Sequence, residues 1–371
     1  MTGTVGTITH EELIKRFQPL PERIKRNRRR TAWFMMLYVA ISSFLVAASV
    51  VLGVGLTLLH VFAENDMPKL FVHLQEYSEL ILVGILAMWL VLMLLFLGSS
   101  WLTLRRGEGR LLAALKAKPA PFGEYRAVKS ALYDVAIATG VPLPRLAIIK
   151  DRAINAFAIS HRYENGWVGV TTGLVDLLTA EELRCVLAHL VARLQDGSAR
   201  AATILSELLM AEDSLVKKDD EFARLCLENP DVVAANSKAM MPKVLNEGEA
   251  EGKTRSPFSL LFASLHFVTN GCSRIVIWFI KSWYCRQQSV AAECADAMAV
   301  SITKDPASMV RALSKVLPVD NRPGDASEPR FREDIFGALF FAWPTFSFAD
   351  DPELVRIQRL REILGPAAIG R

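Results

Sequence analysis

The stretch Thr179-Ala-Glu-Glu182-Leu-Arg-Cys-Val-Leu-Ala-His189-Leu190-Val-Ala-Arg193-Leu-Gln195 decides how the rest of the chain is read. Thr179 with Glu182 three residues on is a capping box, so a helix is expected from Ala180 to about Gln195. On that helix His189 and Arg193 are four residues apart and share one face. Upstream, Tyr125 to Ala138 has helical periodicity and stops at Gly140, with Pro142 and Pro144 following. Leu146–Ile149, Ala156–Ile159 and Trp167–Thr172 are short β-type runs, the last closed by Gly173. Residues 105–200 therefore form a compact unit of helices and a small sheet. Downstream, residues 212–255 are polar and mixed in charge, with Glu247-Gly-Glu-Ala-Glu-Gly252 among them, and are expected to be a partly mobile insertion. A basic helix, Pro352 to Ile363, is expected to close the domain. No internal repeat is visible.

Two apolar runs precede this unit. Thr31 to Ala63 contains no Asp, Glu, Lys or Arg over 33 residues, and Leu80 to Leu104 none over 25. As a helix the first would be roughly 50 Å long, more than a hydrocarbon core of about 30 Å, so it spans with tilt or protrudes. Its length and its distance from the start of the chain disfavour a cleaved signal peptide. Arg23, Lys25, Arg26, Arg28, Arg29 and Arg30 precede it, and Arg105, Arg106 and Arg110 follow the second run. The loop between carries Glu64, Asp66, Glu76 and Glu79 against Lys69. Positive flanks stay inside, so both ends of this hairpin are expected in the cytoplasm. The arginine cluster has mainly that topogenic role, with anionic lipid or a partner as the sharper reading. A third apolar stretch, residues 256–280, contains His266, Asn270 and Arg274, with Trp278 and Trp283 near its end. A single crossing there would separate two halves of one domain, so a buried or interfacial helix is expected.

Composition narrows the classes. With 51% hydrophobic residues, disorder is excluded for most of the chain, and a mean hydropathy of +0.26 reflects the concentrated apolar runs. A net charge of +4 with no long basic face argues against nucleic-acid binding. Cys185, Cys226, Cys272, Cys285 and Cys294 form no C-x-x-C pair and read as reduced thiols rather than a disulfide frame. No Ser/His/Asp triad, phosphate loop or dinucleotide fingerprint stands out.

Several segments carry a resemblance. Val141-Pro-Leu-Pro-Arg-Leu-Ala-Ile-Ile149, Ile154-Asn-Ala-Phe-Ala-Ile159 and Val170-Thr-Thr-Gly-Leu-Val-Asp-Leu-Leu-Thr-Ala-Glu-Glu-Leu183 resemble the HtpX-type zinc metallopeptidases, membrane-anchored relatives of the CAAX prenyl endopeptidases. Ala295-Asp-Ala297 with Thr303-Lys-Asp-Pro306 looks like the segment after that family's third metal ligand. Asp351-Pro-Glu-Leu354 with Arg356-Ile357 is a weaker match to its C-terminal H-P-x-L-x-x-R-I signature, one residue short. The likeness covers about residues 113–200 and 286–363. It implies an α+β, mostly helical, zincin-like metallopeptidase fold with a small sheet, behind an N-terminal transmembrane hairpin. The expected organisation is a basic cytoplasmic segment 1–30, a hairpin 31–104 with spans at about 32–62 and 80–104, and a cytoplasmic domain 105–371.

The family's chemistry needs H-E-x-x-H, two zinc-binding histidines around a general base, and a later glutamate as third ligand. Here His189 holds the first ligand position, Leu190 replaces the base and Arg193 replaces the second ligand. Counting back from Asp296 by the family's E-x-x-A-D pattern puts Ala292 at the third. Glu293 is next door, about 100° around a helix. An always-charged guanidinium repels zinc, and leucine moves no proton. No metal cofactor and no catalytic residue are expected, and an Arg193–Asp296 ion pair is expected to replace the lost ion. The alternative is a zinc site from shifted ligands: His189, Glu293, Asp296 and His161. Asn155, Ala156, Phe157, Ala158 and Ile159 match the family's strand beside the cleft, where an added strand would bind; Phe157 and Ile159 also serve as core.

The expected function is that of a membrane-anchored pseudoprotease, a binding or scaffold subunit in a membrane complex concerned with membrane-protein quality control. The competing readings are a zinc endopeptidase with a non-standard ligand set and a purely structural anchor. Expected partners are the bilayer and other membrane proteins, including a homo- or hetero-oligomer, and no nucleic acid. The flank charges and the resemblance imply a multi-pass protein of the bacterial inner membrane.

Overall fold

The computed structural model of the chain describes residues 20–63, 72, 75–162, 165–228, 274–280, 282, 291–316, 336–341, 356–358 and 360. The fold is mostly helical with one small sheet, as expected, and divides into two compact units. The first comprises Met1–Phe34, Leu102–Leu209 and Ile280–Arg371; the second comprises Met35–Trp101 and Met210–Phe279.

The first unit holds the sheet. Strands β1 (Lys118–Pro119), β2 (Arg145–Ile149), β3 (Ala156–Arg162) and β4 (Asn165–Thr171) are ordered β1-β2-β4-β3. β2 and β4 run parallel with Arg145 opposite Trp167 and Ile149 opposite Thr171, while β3 and β4 are antiparallel. β3 is thus an edge strand. Phe157 faces Gly169 across the β3–β4 pair, and a Cβ at Gly169 would collide with the Phe157 ring. That glycine lets an aromatic side chain lie flat on the neighbouring strand.

Helices α1 (Leu20–Ala63), α2 (Ser78–Ala114), α3 (Arg126–Thr139), α4 (Thr172–Leu177), α5 (Ala180–Gln195) and α6 (Ser198–Glu228) are followed by helical residues 291–303 (α7) and α8 (Pro306–Val316). α5 packs against α3, α8, β3 and β4, so it is apolar nearly all round and buried from Cys185 to Leu194. Its capping box forms as expected: Glu182 N donates to Thr179 Oγ1 at 3.4 Å, and Thr179 N donates to Glu182 Oε2 at 3.0 Å. Glu182 Oε2 also accepts from Lys315 Nζ at 2.7 Å, which ties α8 to the start of α5. Burial would raise the Glu182 pKa, but Lys315, the Thr179 amide and Arg311 hold it below the usual value. α3 ends where proline spacing predicts, with Gly140 in the left-handed region at φ 68°.

In the second unit α1 and α2 continue as apolar helices. Leu20–Gly55 and Ser78–Leu102 are long and apolar enough to cross a membrane, with peak mean hydropathies of 2.3 and 3.0. Leu80, Leu86, Leu90, Leu94 and Leu97 are all more than half exposed, as side chains meeting lipid would be. α6 continues to Glu228, into the first part of the 212–255 segment. Most of that segment, and residues 256–273 of the third apolar stretch, lie outside the described residues; residues 274–280 are helical. The Pro352–Ile363 helix is described only at residues 356–358 and 360, all helical.

Candidate functional site

α5 and α7 bring His189 and Asp296 together. His189, Arg193 and Asp296 are each 1% exposed, and Leu190 is fully buried. His189 Nδ1 lies 2.6 Å from Asp296 Oδ1. Burial pushes the His189 pKa down to about 4, against the opposing pull of Asp296. The imidazole is therefore neutral at pH 7, with its proton on Nδ1 donated to the carboxylate and Nε2 left as an acceptor. Burial alone would raise the Asp296 pKa, but Arg356 and His189 bring it to about 2.

The guanidinium that clasps Asp296 belongs to Arg356, which corrects the pairing expected of Arg193. Arg356 Nε donates to Asp296 Oδ2 at 2.9 Å and Nη2 to Oδ1 at 2.8 Å, a bidentate contact. Its Nη1 donates to the Phe341 carbonyl at 2.8 Å. Arg193 instead points Nη1 at the carbonyls of Phe340, at 3.1 Å, and Leu339, at 3.4 Å. Phe341 closes the cluster, its ring edge-on to His189 with centroids 4.7 Å apart and 5.0 Å from the Arg356 guanidinium carbon.

This places residues 336–341 along the outer edge of β3. Phe340 forms an antiparallel bridge with Phe157, and Phe341 N donates to the Ala156 carbonyl at 2.7 Å. Further along, Ser160 N donates to Thr203 Oγ1 of α6 at 3.0 Å. The strand Asn155–Ile159 is at the sheet edge, as an added-strand site requires. Part of that edge is already engaged by the chain's own Phe340 and Phe341. Phe157 and Ile159 are fully buried, as their role as core predicts.

Of the alternative ligand set only His189 and Asp296 are brought together. His161 faces two other carboxylates: Nε2 lies 2.8 Å from Glu207 Oε1, and Nδ1 is 3.9 Å from Glu108 Oε1, neither with hydrogen-bond geometry. Glu207 is fully buried, with its carboxylate in the space a side chain at Gly107 would need. Ala292 and Glu293 are partly exposed on α7. Among the described residues no group of three or more His, Cys, Asp or Glu side chains is arranged to hold a metal ion. One feature fits zinc: among the described residues His189 Nε2 is buried without a hydrogen-bond partner, while Nδ1 is held by a carboxylate in the manner of a metal-ligating histidine. The rest does not fit. One imidazole nitrogen, a leucine and a guanidinium are not a zinc site.

Two residues carry more than sequence reasoning assigned them. The sequence marks Arg356 only as part of a C-terminal signature, although a buried aspartate on α7 calls for a cation. Arg23, grouped with the topogenic arginines, is 4% exposed and donates from Nη2 to Asp196 Oδ2 at 2.7 Å. Asn27 Nδ2 donates to the Asp196 carbonyl at 2.9 Å, so the start of α1 is fastened to the end of α5. Burial raises the Asp196 pKa in spite of Arg23.

A buried helix carrying the first two ligand positions, an edge strand beside it and a later helix at the third define a zincin-like metallopeptidase domain, here attached to apolar helices. The chain belongs to Peptidase family M48, whose signature matches residues 124–364. A protein named Protease HtpX homolog from Streptococcus uberis is 26% identical over 239 residues, covering 62% of this chain and 71% of that protein. Another of that name, from Thermoanaerobacter pseudethanolicus, is 24% identical over 324 residues, covering 83% of this chain and 98% of that protein. No solved structure matches the chain.

Proposed function

We propose that this protein is an HtpX-type pseudoprotease, anchored in the membrane by two spans, whose domain binds or organises membrane proteins rather than cleaving them. The observation that carries this is Arg193. A permanently charged side chain fills the second ligand position and is buried onto the Leu339 and Phe340 carbonyls. Leu190 in the base position and Ala292 in the third ligand position support the same reading. The flank charges support a cytoplasmic domain. Membrane proteins, including further copies of the chain, are the proposed partners, and membrane-protein quality control is the setting suggested by the family.

The test is metal content by mass spectrometry on protein purified in detergent without chelators. Well under one zinc per chain is expected. About one zinc per chain, lost in His189→Ala, would overturn the proposal in favour of the endopeptidase. The unpartnered Nε2 of His189 is the observation that favours that second reading. The third, a structural anchor, is favoured by the engagement of β3 by Phe340 and Phe341. Crosslinks through Asn155–Ile159 support a binding groove, and crosslinks confined to the spans support the anchor.

A further inference from the structure

Residues 336–341 hold the outer edge of β3 with very little strand. On its inner side β3 pairs with β4 from Ala156 to Arg162. On the outer side, among the described residues, Phe340 makes an isolated bridge to Phe157, and Phe341 N donates to the Ala156 carbonyl. The Phe340 amide turns back to the Gly337 carbonyl at 3.1 Å, closing the short turn Gly337–Leu339 instead of lengthening the ladder.

Side chains do the rest of the holding. The carbonyls of Leu339 and Phe340 accept from Arg193, at 3.4 and 3.1 Å, and that of Phe341 accepts from Arg356 at 2.8 Å. Successive carbonyls are thus gripped by two guanidinium groups, one of them at the second ligand position. The Phe340 ring stands edge-on to Phe157 with centroids 6.2 Å apart, and Phe341 rests on His189. Leu339, Phe340 and Phe341 are at most 4% exposed. These are the contacts a groove offers to an added peptide strand: a main-chain partner on an edge, donors for its carbonyls and apolar recesses for its side chains. None depends on a covalent link to this chain. A long ladder would make the segment a permanent strand, whereas a bridge and a turn make it the part of the sheet that opens first.

We infer, resting on the binding role proposed above, that Leu339–Phe341 is a built-in occupant of the groove beside β3. It shuts the cleft in the resting chain. An extended partner segment with adjacent large apolar residues reaches β3 only by displacing it. Arg193 then has a task of its own, holding the carbonyls of whichever strand lies in the groove.

The test is binding of a fluorescein-labelled peptide with the sequence of residues 336–341, Phe-Gly-Ala-Leu-Phe-Phe, to the full chain in detergent, read by fluorescence polarisation. The same peptide built from D-amino acids enters micelles equally but cannot repeat the pairing, so the preference for L over D reports the groove. Wild type is expected to show little preference, because its groove is filled. Phe341→Ala should raise the preference at least ~10-fold, since loosening the occupant raises the fraction of open chains. The peptide also brings the ring that the variant lacks. Phe340→Ala should act in the same direction through the lost contact with Phe157, and serves if Phe341→Ala does not fold. Amide exchange at residues 340–341 is followed on the same samples. A preference equal in wild type and variants would show that the segment does not bar the groove, overturning the occupant and leaving the binding role intact. Faster exchange with no preference would mean that β3 accepts no strand, and would remove both. Unchanged exchange in both variants would make the segment permanent core and overturn the inference. Zinc content, measured separately, decides the pseudoprotease reading whichever way the peptide behaves.

Discussion

At the scale of single residues, the cluster around Asp296 sets the acid stability of the domain. His189 titrates near 4 when folded but near the ordinary histidine value of about 6.5 when unfolded. Between those values the unfolded chain takes up a proton that the folded one refuses, so stability is complete above about pH 6.5 and falls toward pH 4. Asp296, held near 2, adds a second loss as the pH drops below the usual carboxylate range. Melting curves should therefore show the wild type losing its margin over His189→Gln between pH 7 and 4.5; parallel curves would contradict the assignment. Asp296→Asn strands the Arg356 guanidinium and is expected to cost about 3–5 kcal/mol in denaturant titration. Sequence gave access to part of this. His189, Leu190 and Arg193 are placed by their spacing on one capped helix, which is local, whereas Asp296 is placed only by the family resemblance of its segment. Arg356 cannot be paired with Asp296 in that way, since a separation of 60 positions leaves the partner undetermined.

At the scale of elements, the capping box and the helix it starts were readable to the residue, as were the three longer strands to within a few positions. Capping and alternation are decided by neighbours in the chain. What covers an edge strand is not. Residues 336–341 lie beside β3 because their carbonyls accept from Arg193 and the Phe341 amide reaches Ala156. No periodicity in those residues announces this. The Phe341 ring is the pin, resting on both His189 and Arg356. Phe341→Ala should cost about 3–5 kcal/mol, and amide exchange should quicken at residues 340–341 well before α5 opens. Uniform acceleration across both would mean the segment is an inseparable part of the core.

At the scale of the whole molecule, the buried Arg23–Asp196 pair joins the first membrane-directed helix to the helix that carries the motif. Breaking it from one side leaves a buried charge, so Arg23→Ala should cost about 3–5 kcal/mol, whereas Arg23→Met with Asp196→Leu should recover most of the loss. Calorimetry in detergent checks this; equal destabilisation by the single and double variants would show that the pair's hydrogen bonds, not its charges, matter. Charge counting groups Arg23 with the topogenic arginines, with anionic lipid or a partner as the sharper reading. A buried partner 173 positions away leaves no trace in the local charge pattern.

The placement of Arg193 also bears on history. A return to three zinc ligands and a base would need new residues at 190, 193 and 292. Arg193→His taken first abandons the Leu339 and Phe340 carbonyls in a dry interior and opens a void. Leu190→Glu taken first buries a carboxylate where a leucine is fully enclosed. On the proposed pseudoprotease reading, each single step runs downhill in stability before any chemistry could reward it, and the arginine then works as an evolutionary ratchet, closing the route by which the site could be rebuilt one substitution at a time.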